Sequence, residues 1–172
     1  LLCRLLEPLC RDLLPESIRR YIGQRIHFAE IQPGDQLEAI GMHLSVFDIL
    51  STKAKQYGFR ALLPDGQSLT CMGDEPCREP VFPMAQGSDW LLTEAFCLYG
   101  DRERFHPYEK NHSTVRDAAQ VAQKLQVKHL VLYHTEDKNL ATRKVRYASE
   151  AATYYSGPIF VPDDLDIISI EK

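Results

Sequence analysis

Residues 89–137 read DWLLTEAFCLYGDRERFHPYEKNHSTVRDAAQVAQKLQVKHLVLYHTED, and this stretch decides the fold. Asp89 to Cys97 reads as a short buried strand. His112-Ser113-Thr114 then opens a helix whose apolar residues Val115, Ala118, Ala119, Ala122 and Leu125 recur at i, i+3, i+4, i+7 and i+10, one face packed on something apolar. Val127 to Tyr133 is a near-continuous apolar run, the pattern of a strand buried on both sides in a helix-covered sheet. His134 therefore stands just past the C-terminal end of a strand, where open α/β sheets collect their ligands.

Upstream, Gln67 to Met72 reads as a strand running into Gly73-Asp74-Glu75-Pro76. A carboxylate beside a glycine at a strand end is either a metal ligand or a turn residue, and the pair alone does not choose. Before it, Gly58 to Leu63 pairs with Ser68 to Met72 across Pro64-Asp65-Gly66-Gln67, a hairpin announced by its Asp-Gly turn. Leu1 to Leu14 reads as an amphipathic helix already under way, Pro15-Glu16-Ser17 restarts a helical turn through Ile22-Gly23, and Arg25 to Ile31 reads as a first strand. Pro33-Gly34-Asp35 is a turn, and Gly41 to Leu50 is a second strand. Asn139 to Tyr155 reads as a last long helix, ended by Ser156-Gly157-Pro158, with Ile159 to Val161 and Asp166 to Ile170 as closing strands. Strands first and alternating elements later give an α/β class, a mixed sheet flanked by helices.

Taken in order, Gly73-Asp74-Glu75, Thr93-Glu94-Ala95-Phe96, Asn111-His112-Ser113-Thr114 and Leu132-Tyr133-His134-Thr135 form a set that resembles the C-terminal half of the metallo-β-lactamase superfamily, and most its ribonuclease Z branch. Gln56-Tyr57-Gly58-Phe59-Arg60 is similar to the family's aromatic-Gly-aromatic-Arg strand, so the resemblance covers about residues 25–172. It implies an αββα sandwich, of which residues 1–172 form a single domain, the C-terminal part. It further implies a metal-dependent hydrolase that cleaves a phosphodiester, RNA among them, by a metal-activated water. Asp74 and His134 would be metal ligands, Asp74 bridging two zinc ions in a complete site. His112 would be the general acid, oriented by Glu94. Read without the resemblance, Asp74 and His134 are strand-end capping residues and His112 is a helix-entry histidine.

The sequence also departs from the family. Its His-x-His-x-Asp-His loop is absent, because no two of the six histidines stand at i and i+2. Asp48 to Thr52 holds no histidine where the family has its next one, though Asp48 offers an oxygen there, and Thr93 replaces the histidine expected before Glu94. Two ligands remain where two zinc ions need about seven or eight. The opening inside a helix reads as a piece of a longer protein, and the replacements read as a short paralogue that has lost part of its site. The ligands still needed would come from a missing N-terminal half or a homodimer partner. The alternative function is a metal-free pseudoenzyme or protein-interaction module keeping the fold. The family's tRNA-gripping arm has no counterpart, since Leu62 to Thr70 is a tight hairpin.

Composition sets the outer bounds. With 172 residues, 44% of them apolar, the chain can bury one sizeable core. A net charge of −4 argues against bulk attraction to nucleic acid. Lys138, Arg143, Lys144 and Arg146 crowd one helix, either as a basic patch or as a solvated face. Five cysteines without a Cys-x-x-Cys pair, and no run of about 18 apolar residues, point to a reduced, cytoplasmic protein with no membrane contact.

Overall fold

The computed structural model describes residues 2–170, with side chains from residue 4 onward, in two compact units, residues 1–32 and 33–172. In the first, α1 (Leu2–Leu13) is followed by the single turn α2 (Glu16–Arg19). The strand expected over Arg25 to Ile31 does not form. The chain instead turns over Tyr21 to Ile26, with Gly23 at φ 85° and its N–H donated to the Ile26 carbonyl at 2.8 Å. Alternation of apolar side chains is not enough to make a strand where no neighbouring strand takes up the backbone groups.

The second unit is built on one seven-stranded sheet in the order β1 (Gln36–Ala39), β2 (Met42–Asp48), β3 (Tyr57–Leu62), β4 (Ser68–Cys71), β5 (Trp90–Glu94), β6 (His129–Tyr133) and β7 (Ile159–Phe160). β1 to β4 are antiparallel neighbours and β4 to β7 parallel ones. The change follows from the connections: short turns join the first four strands, and helical crossovers join the rest. The β3–β4 turn is the one read from Asp65-Gly66, with Gly66 at φ 86° and Asp65 Oδ1 accepting the Gln67 N–H at 2.9 Å. β1 was not legible in the sequence. It is short, mostly exposed, and joined to β2 through Ile40 and Gly41, both at positive φ, where the Ile in first place hides the usual Asn-Gly or Asp-Gly sign. Asp166 to Ile170 makes no strand either. Asp166 instead returns its carboxylate to the Asp163 N–H at 2.9 Å and to Lys144 Nζ at 2.5 Å, which holds the segment as a loop.

After β4 come the single turns α3 (Phe82–Ala85) and, beyond β5, α4 (Arg102–Phe105). The long crossovers are α5 (Val115–Lys124), between β5 and β6, and α6 (Leu140–Ala152), between β6 and β7. The α5 face read from the sequence is the buried one, with Val115, Ala118, Ala119, Ala122 and Leu125 in one cluster with Phe47, Ile49, Leu91, Leu130, Leu132, Tyr147 and Ala151. The small alanines let α5 lie close to the sheet and to α6. On the opposite side, Trp90 stacks on its register partner His129 at 4.1 Å and donates its indole N–H to Gln67 Oε1 at 3.1 Å. Among the described residues no helix is long and apolar enough to cross a membrane, and Cys10, Cys71, Cys77 and Cys97 are free.

Candidate active site

The parallel strands β4, β5 and β6 deliver three loops to one sheet edge, and Asp74, Glu94, His112 and His134 lie on these loops or at the strand ends that lead into them. Glu94 is the last residue of β5 and fully buried. His112 follows the loop from α4, and its Nδ1 lies 2.7 Å from Glu94 Oε2. The other Glu94 oxygen accepts the Ser113 N–H at 2.5 Å, while Ser113 Oγ donates to the Glu94 backbone carbonyl at 3.0 Å. This clamp belongs to the start of α5, where Thr114 is the N-cap and forms a reciprocal capping box with Asp117. The local sequence that starts the helix therefore also fixes His112 against the carboxylate.

His134 follows β6 with φ 51°, a left-handed turn that takes the chain off the sheet edge. Its ring centroid is 5.0 Å from that of His112. Phe96 closes one side, stacked on His112 at 5.0 Å and tilted against His134 at 6.3 Å. Ligand atoms of Glu94, His112 and His134 all lie within 4.8 Å of one another. Asp74 stands after Gly73, whose φ of 77° makes the turn at the end of β4. The hydroxyl of Tyr133 donates to the Gly73 carbonyl, tying the loop that carries Asp74 to the strand that carries His134. The Asp74 charge acts on both Glu94 and His112.

Burial pushes the Glu94 carboxyl up to about 8, with the nearby Asp74 adding to it and the Ser113 hydrogen bonds opposing it. Burial also pushes His112 down, and the Lys53 ammonium pushes it further the same way. Lys53, on the loop between β2 and β3, places Nζ 3.3 Å from His112 Nε2. With His112 Nδ1–H directed to Glu94, Nε2 accepts from Lys53.

A metal is implied by the resemblance, and one observation tests the fit. Asp74 Oδ1 is buried without a hydrogen-bond partner, a costly state for a carboxylate oxygen unless a cation completes it. A carboxylate oxygen with imidazole nitrogens is also the donor chemistry that zinc takes. These residues would supply part of a coordination sphere for such an ion.

The other acidic residues of the rim do different work. Asp48 Oδ1 accepts the Leu50 N–H at 2.7 Å and closes a turn. Glu75 is wholly buried and receives Ser51 Oγ at 2.5 Å and Arg78 at 3.0 Å. Glu136 is buried and accepts the Lys138 N–H at 2.6 Å and the Asn139 amide at 2.9 Å at the entry to α6. His43 is an exposed β2 residue beside Glu38, His27 lies outside any strand, and His106 ends α4 in a left-handed turn. Lys53, Phe96 and Tyr133 were not legible as site residues, because a lysine, a phenylalanine and a tyrosine carry no metal or acid–base pattern by themselves.

No family model matches the chain. Curated relatives do. Ribonuclease Z of Macrococcus caseolyticus is 26% identical over 165 residues, which cover 94% of this chain and 52% of that protein. Ribonuclease Z of Brevibacillus brevis is 36% identical over 111 residues, 62% of this chain and 34% of the relative. The chain thus spans about half the length, or less, of the curated relatives it matches. Among solved structures, the metallo-β-lactamase fold protein YhfI of Bacillus subtilis aligns with a TM-score of 0.64 at 18% identity, covering 78% of this chain and 52% of its own. The short form of human tRNase Z aligns with a TM-score of 0.58 at 20% identity, covering 79% and 46%. The chain has the metallo-β-lactamase fold and is similar in sequence to ribonuclease Z over about half of that enzyme's length.

Proposed function

We propose that this chain carries one half of a metal-dependent hydrolase site, resembling ribonuclease Z, whose substrate is a phosphodiester such as RNA. The observation that carries the reading is the buried Glu94–His112 hydrogen bond set beside His134 at the strand ends, with the unpartnered Asp74 oxygen on the adjoining loop. Asp74 and His134 would hold the metal, zinc by donor chemistry. A zinc held there would lower the pKa of its water and so supply a hydroxide nucleophile at neutral pH. Glu94 fixes the imidazole through Nδ1, so that Nε2, the nitrogen turned away from the carboxylate, would act in its protonated form, handing that proton to the leaving oxygen.

The ligands needed beyond Asp74 and His134 would come from outside these residues, either from a segment of the kind the longer relatives carry or from a second copy of the chain. The test is hydrolysis of a phosphodiester by the assembled protein. Asp74→Ala and His134→Ala each abolish it, and His112→Ala lowers kcat by about 10²–10⁴. Rates equal to those of the unaltered protein would end the reading. The second reading, a metal-free protein that keeps the fold for binding, is favoured by one observation: a lysine ammonium already sits at the edge of the donor pocket.

A further inference from the structure

Lys53 reaches His112 from a loop that is built to hold it there. Leu50 turns the chain at φ 60° after β2, with its N–H on Asp48. Ser51 then becomes the pivot. Its hydroxyl donates to the fully buried Glu75 at 2.5 Å and accepts the backbone N–H groups of Lys53 at 3.2 Å and Ala54 at 3.4 Å. The second Glu75 oxygen takes the Thr52 N–H at 3.4 Å and Arg78 at 3.0 Å. A buried carboxylate on the β4–β5 connection thus anchors the backbone from which Lys53 extends to His112 Nε2.

Asp74 and Glu75 are acidic groups whose charge acts on His112, and Arg78 already pairs with Glu75. The field of Lys53 acts on Glu94 and on His112, and opposes that of Asp74 at both. His112 offers Lys53 a lone pair rather than a charge, which suits a cation lodged in a pocket of neutral and anionic donors.

We infer that Lys53 is the resident cation of the donor pocket, seated against His112, and that a divalent ion entering at Asp74 and His134 must displace its ammonium. The inference rests on the reading of Asp74 and His134 as metal donors, and it adds a competitor that the loop 49–56 supplies from within the chain. Lys53 and His134 are exposed while Glu94 and His112 are buried, so solvent screens the repulsion between the ammonium and a divalent ion only in part, and the competition reads as a change in zinc affinity.

The experiment is zinc titration of the full chain against a chelator of known affinity, with Lys53→Met, Lys53→Arg and the unaltered chain side by side. Lys53→Met binds zinc about tenfold more tightly or better, and Lys53→Arg, which keeps the charge, stays close to the unaltered chain. In metal-free buffer Lys53→Met has the lower Tm, and zinc restores it. Zinc affinity in Lys53→Met that equals or falls below that of the unaltered chain overturns the inference, as does an absence of zinc binding by both. Loss of inorganic phosphate binding in Lys53→Met, read from the His112 ring resonances with zinc affinity unmoved, also overturns it and makes Lys53 an anion-binding residue. If the tighter zinc binding persists when Asp74→Ala is added, the competition stands and the assignment of Asp74 as donor fails. The two readings are thereby separated.

Discussion

Single residues in this protein carry more than one duty, and Asp89 shows how that is arranged at the start of β5. Its Oδ2 accepts the Ser68 N–H at 2.7 Å and the Ser68 hydroxyl at 3.0 Å, and Oδ1 pairs with Lys128 at 2.6 Å. Burial alone would raise this carboxyl, but Lys128 and the two Ser68 donors outweigh it and hold it at about 2. Its folded value is therefore depressed below the unfolded one, so its stabilisation is complete above about 4 and is lost as pH falls towards about 2. Asp89→Asn should cost about 1–3 kcal/mol at neutral pH and remove most of that acid-side loss, checked by urea unfolding across pH 2–7. An unchanged acid limb would place the acid sensitivity elsewhere. Ser113 is the matching case at the site, since one residue binds both the side chain and the backbone of Glu94.

At the scale of elements, the site depends on how two of them begin and how closely two others approach. The start of α5 sets His112 and Ser113, so loss of the Thr114 cap is felt at the helix and at the carboxylate together. Thr114→Ala is expected to cost about 1–2 kcal/mol and Thr114→Ser much less, measured by the urea midpoint. A Thr114→Ala protein as stable as the original would show that α5 is held by its packing alone. In β3, Gly58 lies where a Cβ would come within 2.5 Å of the Phe47 ring and 2.7 Å of the Cys71 carbonyl. Neither neighbour can yield cheaply, one being a core ring and the other backbone. Gly58→Ala should therefore lower stability by about 1–3 kcal/mol, and full retention of stability would mean that β2 and β3 can part without loss. The Gly of the aromatic-Gly-aromatic stretch is thus needed for close strand packing, not for a turn.

For the whole molecule, the decisive number is metal per chain. Among the described residues the donors gathered in one place are Glu94, His112 and His134, with Asp74 on the adjoining loop. That set suffices for one divalent ion at most, with Glu94 engaged by His112 and Ser113. Elemental analysis of the purified chain after removal of loose metal should give one zinc or less per chain. Two tightly held ions per chain would mean that the ligands are complete within these residues, and would overturn the view that half of the site comes from elsewhere.

The sequence by itself determined the parallel half of the sheet, the hairpin before it, the helix α5 with its buried face, and the order of Asp74, Glu94, His112 and His134 along one edge. These were legible because each rests on a local rule: a turn that needs Asp-Gly, a helix whose apolar residues recur on one face, a buried strand that reads as an apolar run. Only the tertiary structure decided the rest. Whether Arg25 to Ile31 and Asp166 to Ile170 became strands depended on neighbours that a strand needs for its backbone and that the local pattern does not contain. Glu75 became a buried anchor because Ser51 and Arg78 meet it from 24 residues upstream and 3 downstream. Lys53 became a site residue for the same reason: its 59-residue separation from His112 is closed by the fold, and a charge placed by distant contacts leaves no local pattern to read.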